Sequence, residues 1–171
     1  MIRKIIKYGD PVLEQYCEPV EEFDEPELHQ LVADMFETMD DARGVGLAAP
    51  QVGLLKRLTV IDCSAGEDPE QKLVLINPEI LETEGEQIGE EGCLSIPGFQ
   101  GDVTRAQRVV VRARDAKGGS FEVEGDGLLA RAILHENDHL NGILFLRHLT
   151  PLKRELIKRK IRKLRKKGEW D

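Results

Sequence analysis

The spacing of the apolar runs between residues 57 and 125 restricts the fold of this chain more than any other feature. RLTVIDC (57–63), KLVLINPEIL (72–81), VTRAQRVVVRAR (103–114) and GGSFEVEG (118–125) are short and rich in β-branched residues, and Gly, Pro, Asp and Ser clusters separate them. The links are too short to hold crossover helices, so the strands they predict pair mostly antiparallel. DAKGG at 115–119 reads as a hairpin turn between VVVRAR and SFEVE.

Helical spacing brackets this region. Leu28, Leu31, Val32, Met35 and Met39 recur on one face, with Pro26 near the first turn and Asp24 and Glu27 placed as a capping pair. That predicts a helix of about four turns ending before Gly44. A second helix is expected from about Asp126 to Asn141, with Leu129, Ala132, Ile133 and Leu140 on apolar faces and Gly142 as its stop. After LTP, Leu152, Leu156, Ile161 and Leu164 mark a narrow apolar stripe on a basic C-terminal helix. Helices set apart from a run of antiparallel strands make the class α+β.

A chain of 171 residues suits one domain that buries its own core. We expect a single domain over 1–171, with 151–167 as a helical appendage. The N-terminus, MIRKIIKYGDP, breaks its apolar residues with charges, and no later run approaches membrane-spanning length, so a cytoplasmic protein without membrane contact is expected. Cys17, Cys63 and Cys93 are an odd number in such a chain, and no disulfide framework is expected. The net charge of −8 is uneven: residues 151–171 hold ten Lys or Arg against three acids, about +7, and the rest is about −15.

HENDH at 135–139 is the strongest local motif. Histidines four apart on a helix share a face, so their rings converge on a metal while Glu136 reaches water bound there. Five-residue strings of this kind also arise by chance, and a buried or capping histidine pair is the bland reading. The apolar segment upstream, LLARAIL, argues for a buried helix, where unpartnered imidazoles carry a desolvation cost.

A catalytic site with three protein ligands leaves a position for water, so one more donor is needed. Peptidase patterns place it downstream, and there Phe145 stands where a third histidine is required. Glu155, among Lys153, Arg154 and Lys158, reads as a charge partner in the tail. Cys93 in GEEGCLSIPG is the better candidate, presented from a strand or tight turn, whereas Cys17 and Cys63 read as small core residues. GVGLAAPQVG at 44–53 is too dense in Gly, Ala and Pro to be expected in a core, and suits a loop lining a site. Its Gln51 offers a carboxamide donor for an oxyanion.

GVGLAAPQ, EGCLS and HENDH, in this order, resemble the three signature motifs of the bacterial peptide deformylases, of the type 1 group with a long C-terminal helix. The resemblance extends through DGLLARAILHENDHLNGILF, LTPLKR and IIKYGDPVL, which is most of the chain. It implies a central metal-binding helix surrounded by antiparallel β-sheets, with Cys93, His135 and His139 as metal ligands and water as the fourth. It further implies Glu136 as general acid/base, and Gln51 with the Leu94 backbone N–H as oxyanion donors. Gly44, Val45 and Gly46 would bind substrate, Gly46 through its backbone, and Val45 with Leu94 would border the methionine pocket. The implied reaction is hydrolysis of the formyl group from N-formylmethionyl peptides, by hydroxide formed at the metal. The implied cofactor is one Fe(II) per chain, which Zn(II), Ni(II) or Co(II) replaces in preparations, although the ligand types alone suit zinc.

Two positions depart from the common pattern. Gly89 stands where a larger apolar residue is common, and Arg131 where some members carry an aliphatic one; both bear on the methionine pocket. The basic tail reads either as a solvated helix docked by its stripe or as an RNA contact, and the resemblance points to the ribosome. No DNA partner is expected. HENDH alone also fits a zinc peptidase, and the tail alone a metal-stabilised RNA-binding module.

Overall fold

The computed structural model describes residues 1–170. Ten regular elements follow one another: α1 (Pro26–Asp41), β1 (Gly46–Ala48), β2 (Leu58–Ile61), β3 (Leu73–Glu84), β4 (Gln87–Gly92), β5 (Gln100–Arg105), β6 (Arg108–Arg114), β7 (Ser120–Asp126), α2 (Gly127–Leu140) and α3 (Pro151–Lys166). A short 3-10 turn (Pro11–Glu14) precedes them, and others lie between them. The class is α+β, as the pattern predicts.

All five strands of the larger sheet, in the order β1-β2-β3-β6-β7, pair antiparallel, and β4 and β5 form a separate antiparallel hairpin. The alternation along β6 explains its place: Val109, Val111 and Ala113 face inward and pack against Ala130, Ala132 and Ile133 of α2. The 115–119 turn closes as expected, with Asp115 N–H donating to Gly119 O (2.9 Å) and the Asp115 carboxylate accepting from the Lys117 and Gly119 N–H groups. All three cysteines are free.

Four local expectations are corrected. VTRAQRVVVRAR is two strands rather than one. It breaks at residues 106–107, where the Ala106 carbonyl accepts from Gln87 and the Gln107 carbonyl from the Gly127 N–H, so neither joins a ladder. Asp24 and Glu27 do not form a capping pair. The N-cap is Glu25, without a side-chain cap bond, because Asp24 lies at φ 58° and turns its carboxylate to His29 Nε2 (2.7 Å).

The GVGLAAPQVG segment is no mere loop. It forms β1 and a 3-10 turn, and Leu47, Ala48 and Ala49 are fully buried, because small residues let this backbone pack tightly between α1, α2 and β2. On α3 the docked seam is Ile157, Ile161 and Leu164, packed with Leu13, Phe145 and Trp170. Leu152 and Leu156 lie one residue out of that register, about 100° around the helix, and are exposed.

Candidate metal centre

The helix α2 carries its polar side chains inward. Arg131, His135 and His139 stand four residues apart on one face, and all are buried. Its C-terminal end is fixed from outside: the Leu140 carbonyl accepts from Arg57 (3.0 Å) and from the Cys17 N–H (2.9 Å), and Asn141 from Arg57 as well. Cys93 follows the last residue of β4, where the chain turns back through an Ile96 N–H to Cys93 carbonyl bond (2.9 Å).

The sequence-predicted ligands meet. Cys93 Sγ lies 3.4 Å from His139 Nε2, which lies 3.2 Å from His135 Nε2, and one ligand atom from each residue falls within 4.8 Å of the others. Two nitrogens and a sulfur arranged tetrahedrally about an ion at about 2.0–2.3 Å would stand roughly 3.3–3.6 Å apart, so the donors fit a metal. Burial drives the pKa of His139 well below the histidine range. At His135 burial pushes the same way, but Glu136, Cys93 and Glu91 outweigh it and the net shift is upward.

Glu136 stands beside these donors. Burial pushes its carboxyl up to about 7, and its Oε1 has no hydrogen-bond partner among the described residues. Strand β1 runs so close that a Cβ on Gly46 would stand 2.5 Å from Glu136 Oε2, so a larger residue there would push the Glu136 carboxylate aside. Gly44 is likewise crowded, by the Leu94 side chain.

Gln51 is buried and fixed at both ends. Its Oε1 accepts from the Ala48 N–H (2.9 Å), and its Nε2 donates to Ser95 Oγ (3.1 Å) and lies 3.5 Å from Cys93 Sγ. A cleft of about 660 Å³ reaches Gln51, Cys93, His135 and Glu136; Gly44, Val45, Gly46, Leu94, Leu128 and Ala132 line it too. The rival third ligands are elsewhere: Phe145 stacks on the His135 ring, and Glu155 is exposed and paired with Arg162.

Sequence reasoning passed over Glu91. Its Oε1 lies 2.7 Å from His135 Nδ1, and Arg105 and Arg131 grip the same carboxylate. Burial alone would raise its pKa, but hydrogen bonds from Arg105 and His135 outweigh that and hold it well below the carboxylate range. Such a carboxylate fixes the ring and leaves Nε2 free for a metal. Alternation in a strand GEEG turns one glutamate outward and the other inward, and a buried acid requires partners, but two glycines and two adjacent acids do not mark this segment as a strand. Ser95, which anchors Gln51, offered no comparable signal.

The family described as polypeptide deformylase matches residues 2–155 of this chain. The peptide deformylase of Acidobacterium capsulatum is 57% identical over 170 residues, covering 99% of each chain. That of Thermodesulfovibrio yellowstonii is 50% identical over 161 residues, covering 94% of this chain and 97% of its own. Among solved structures, a peptide deformylase from Legionella pneumophila superposes with a TM-score of 0.91 at 49% identity over 98% of both chains. The enzyme from Thermus thermophilus gives 0.87 at 44% identity, over 95% of this chain and 94% of its own.

Proposed function

This chain belongs to the polypeptide deformylase family, and from that membership we propose how its residues divide the reaction. It is an enzyme, a metal-dependent hydrolase that removes the formyl group of N-formylmethionyl polypeptides as formate. Cys93, His135 and His139 would hold the metal. When bound, a cation supplies Lewis acidity and lowers the pKa of water toward neutrality.

Glu136 takes a proton from the attacking water and returns it to the amine nitrogen as the carbon–nitrogen bond breaks. A buried carboxyl poised near 7 suits both transfers. Gln51 carries two Nε2 hydrogens; Ser95 takes one, and the other lies on the Cys93 side, available to the oxyanion with the Leu94 backbone N–H. Gly46 meets the substrate backbone, and Gly44 and Val45 border the cleft. The observation that carries this reading is the cluster of three donors beside the unpartnered Glu136 oxygen, with Cys93, His135 and Glu136 lining one cleft.

Formate release from formyl-Met-Ala-Ser by anaerobically iron-loaded protein tests it, beside Glu136→Ala. Release by the parent and not by the variant is expected; no release by folded, loaded parent would overturn it.

Fe(II), one per chain, is our choice of cellular metal, with Zn(II), Ni(II) or Co(II) able to take its place. The donor types alone suit zinc, so family resemblance carries this choice. Equal turnover of zinc-loaded and iron-loaded protein would overturn it.

We read 1–171 as one domain with 151–167 as its appendage, supported by the packing of Ile157 and Ile161 into the Phe145 cluster. A cytoplasmic enzyme that touches the ribosome through α3 is the accompanying reading. No helix among the described residues is long and apolar enough to cross a membrane, and Arg159, Lys160 and Lys163 on α3 and Lys167 at its C-cap are exposed, as are Leu152 and Leu156. Truncating this helix would strip Ile157 and Ile161 from the core. Neutralising Lys160, Lys163 and Lys167 to Gln is the cleaner test, and unchanged co-sedimentation with ribosomes at low salt would remove the contact.

A further inference from the structure

The Glu91 carboxylate accepts four hydrogen bonds. Oε1 takes Arg105 Nη2 (2.9 Å) and faces His135 Nδ1 (2.7 Å); Oε2 takes Arg105 Nε (2.8 Å) and Arg131 Nη1 (2.7 Å). Two oxygens have about four acceptor positions, so none is left over. Arg105 does not hold Glu91 exclusively, because its Nη1 also donates to Asp138 Oδ2 (2.7 Å). Arg131 is the second grip, and its Nη1 also donates to the Val103 carbonyl (3.0 Å) on β5.

Arg131 reaches Glu91 across a gap that the sequence keeps open. It sits on α2 one turn before His135, and its guanidinium lies against Gly89 of β4, two residues before Glu91 and on the same face of the strand. A Cβ on Gly89 would stand 3.1 Å from Arg131 Nη2, tighter than ordinary contact. The two positions that depart from the common family pattern are thus neighbours, one making room for the other.

We propose that Arg131, admitted by Gly89, is a positioning residue: it locks the Glu91 carboxylate so that the His135 ring stays aimed at the metal and the metal escapes slowly. The proposal rests on Cys93, His135 and His139 being the ligands. Loss of a hydrogen-bonding partner behind a ligand typically weakens metal binding about 10- to 100-fold, and Arg131→Met removes the donors while keeping most of the apolar stem.

The test follows metal release from zinc-loaded protein into excess chelator for the parent, Arg131→Met, Gly89→Ala and His135→Ala, with thermal unfolding of each metal-free protein measured alongside. Arg131→Met should release zinc roughly 10- to 100-fold faster than the parent, and Gly89→Ala should change the rate less and in the same direction. If Arg131→Met does not fold, Gly89→Ala carries the test, since its backbone is ordinary and the group it displaces is the end of a flexible side chain. Release within about twofold of the parent in the folded variants, whatever happens to unfolding, would overturn the proposal and leave Arg131 a structural ion-pair partner. A His135→Ala protein that holds zinc as the parent does would instead overturn the ligand assignment itself.

Discussion

Two sets of arginine–carboxylate pairs in this molecule use the same side chains in opposite surroundings. Behind the Cys93, His135 and His139 cluster, Glu91, Arg105 and Arg131 are buried, with the half-buried Asp138 completing the set at contacts of 2.7–2.8 Å. On the outer face of the larger sheet, Arg108 meets Glu82, Glu84 and Glu124, and Arg112 meets Glu79 and Glu122, across positions open to water. Desolvation separates them. Buried charges must stay paired in a fixed geometry, so they hold His135 in place; exposed charges exchange partners with water at little cost.

The largest effect should come from Glu136, the buried carboxylate beside this set whose Oε1 has no partner among the described residues. Glu136→Gln should lower turnover by about 10²- to 10⁴-fold while the protein stays folded, since an amide neither accepts nor returns the proton. The sign of the pH dependence follows from its raised pKa: Glu136 acts as a base only when deprotonated, so turnover rises with pH on a limb near 7, or lower with a cation beside it. A pH–rate profile of the variant should lack that limb; an unchanged limb would assign it elsewhere.

Glu91→Ala comes next, through stability rather than chemistry. It leaves Arg105 and Arg131 buried without their shared partner, a change that costs about 3–5 kcal/mol in comparable sites. Urea unfolding of the metal-free protein measures it, and a loss as small as that of a surface pair would dissolve the distinction between the two sets. Gln51→Ala, which removes a neutral donor from the same buried shell, should cost about 3–4 kcal/mol of barrier, read from kcat against formyl-Met-Ala-Ser.

The sequence announced this inner region unevenly. His135, His139 and Glu136 were legible because helical periodicity places neighbours four apart on one face, and Cys93 because the downstream alternatives failed. Strand β4 was not legible. QIGEEG has two glycines and two adjacent acids, a poor strand by propensity, and it becomes one only because β5 pairs along its whole length. With β4 unread, Glu91 had no face assigned, and its grip on His135 could not be foreseen. Ser95 and Arg105 were hidden for the same reason: their partners lie 44 and 14 residues away, and no local period connects them. Leu47 and Ala48 misled in the other direction, since small residues signal either a loop or the closest packing in the molecule.

The smallest effect should be Arg112→Ala. Arg112 and Glu122 are 49% and 54% exposed at 3.4 Å, and its contact with Glu79 is 3.9 Å, so the loss should be no more than about 1 kcal/mol and should shrink as salt screens the pair. Urea unfolding at low and high ionic strength reads both the size and the screening. A loss near that of Glu91→Ala would mean that the ladder acts as one network, with Arg108 holding three glutamates and Arg112 two across β3, β6 and β7. The outer face would then brace the sheet against which α2 is packed, and pairing in a shared array, rather than burial, would be what makes a charge rigid in this fold.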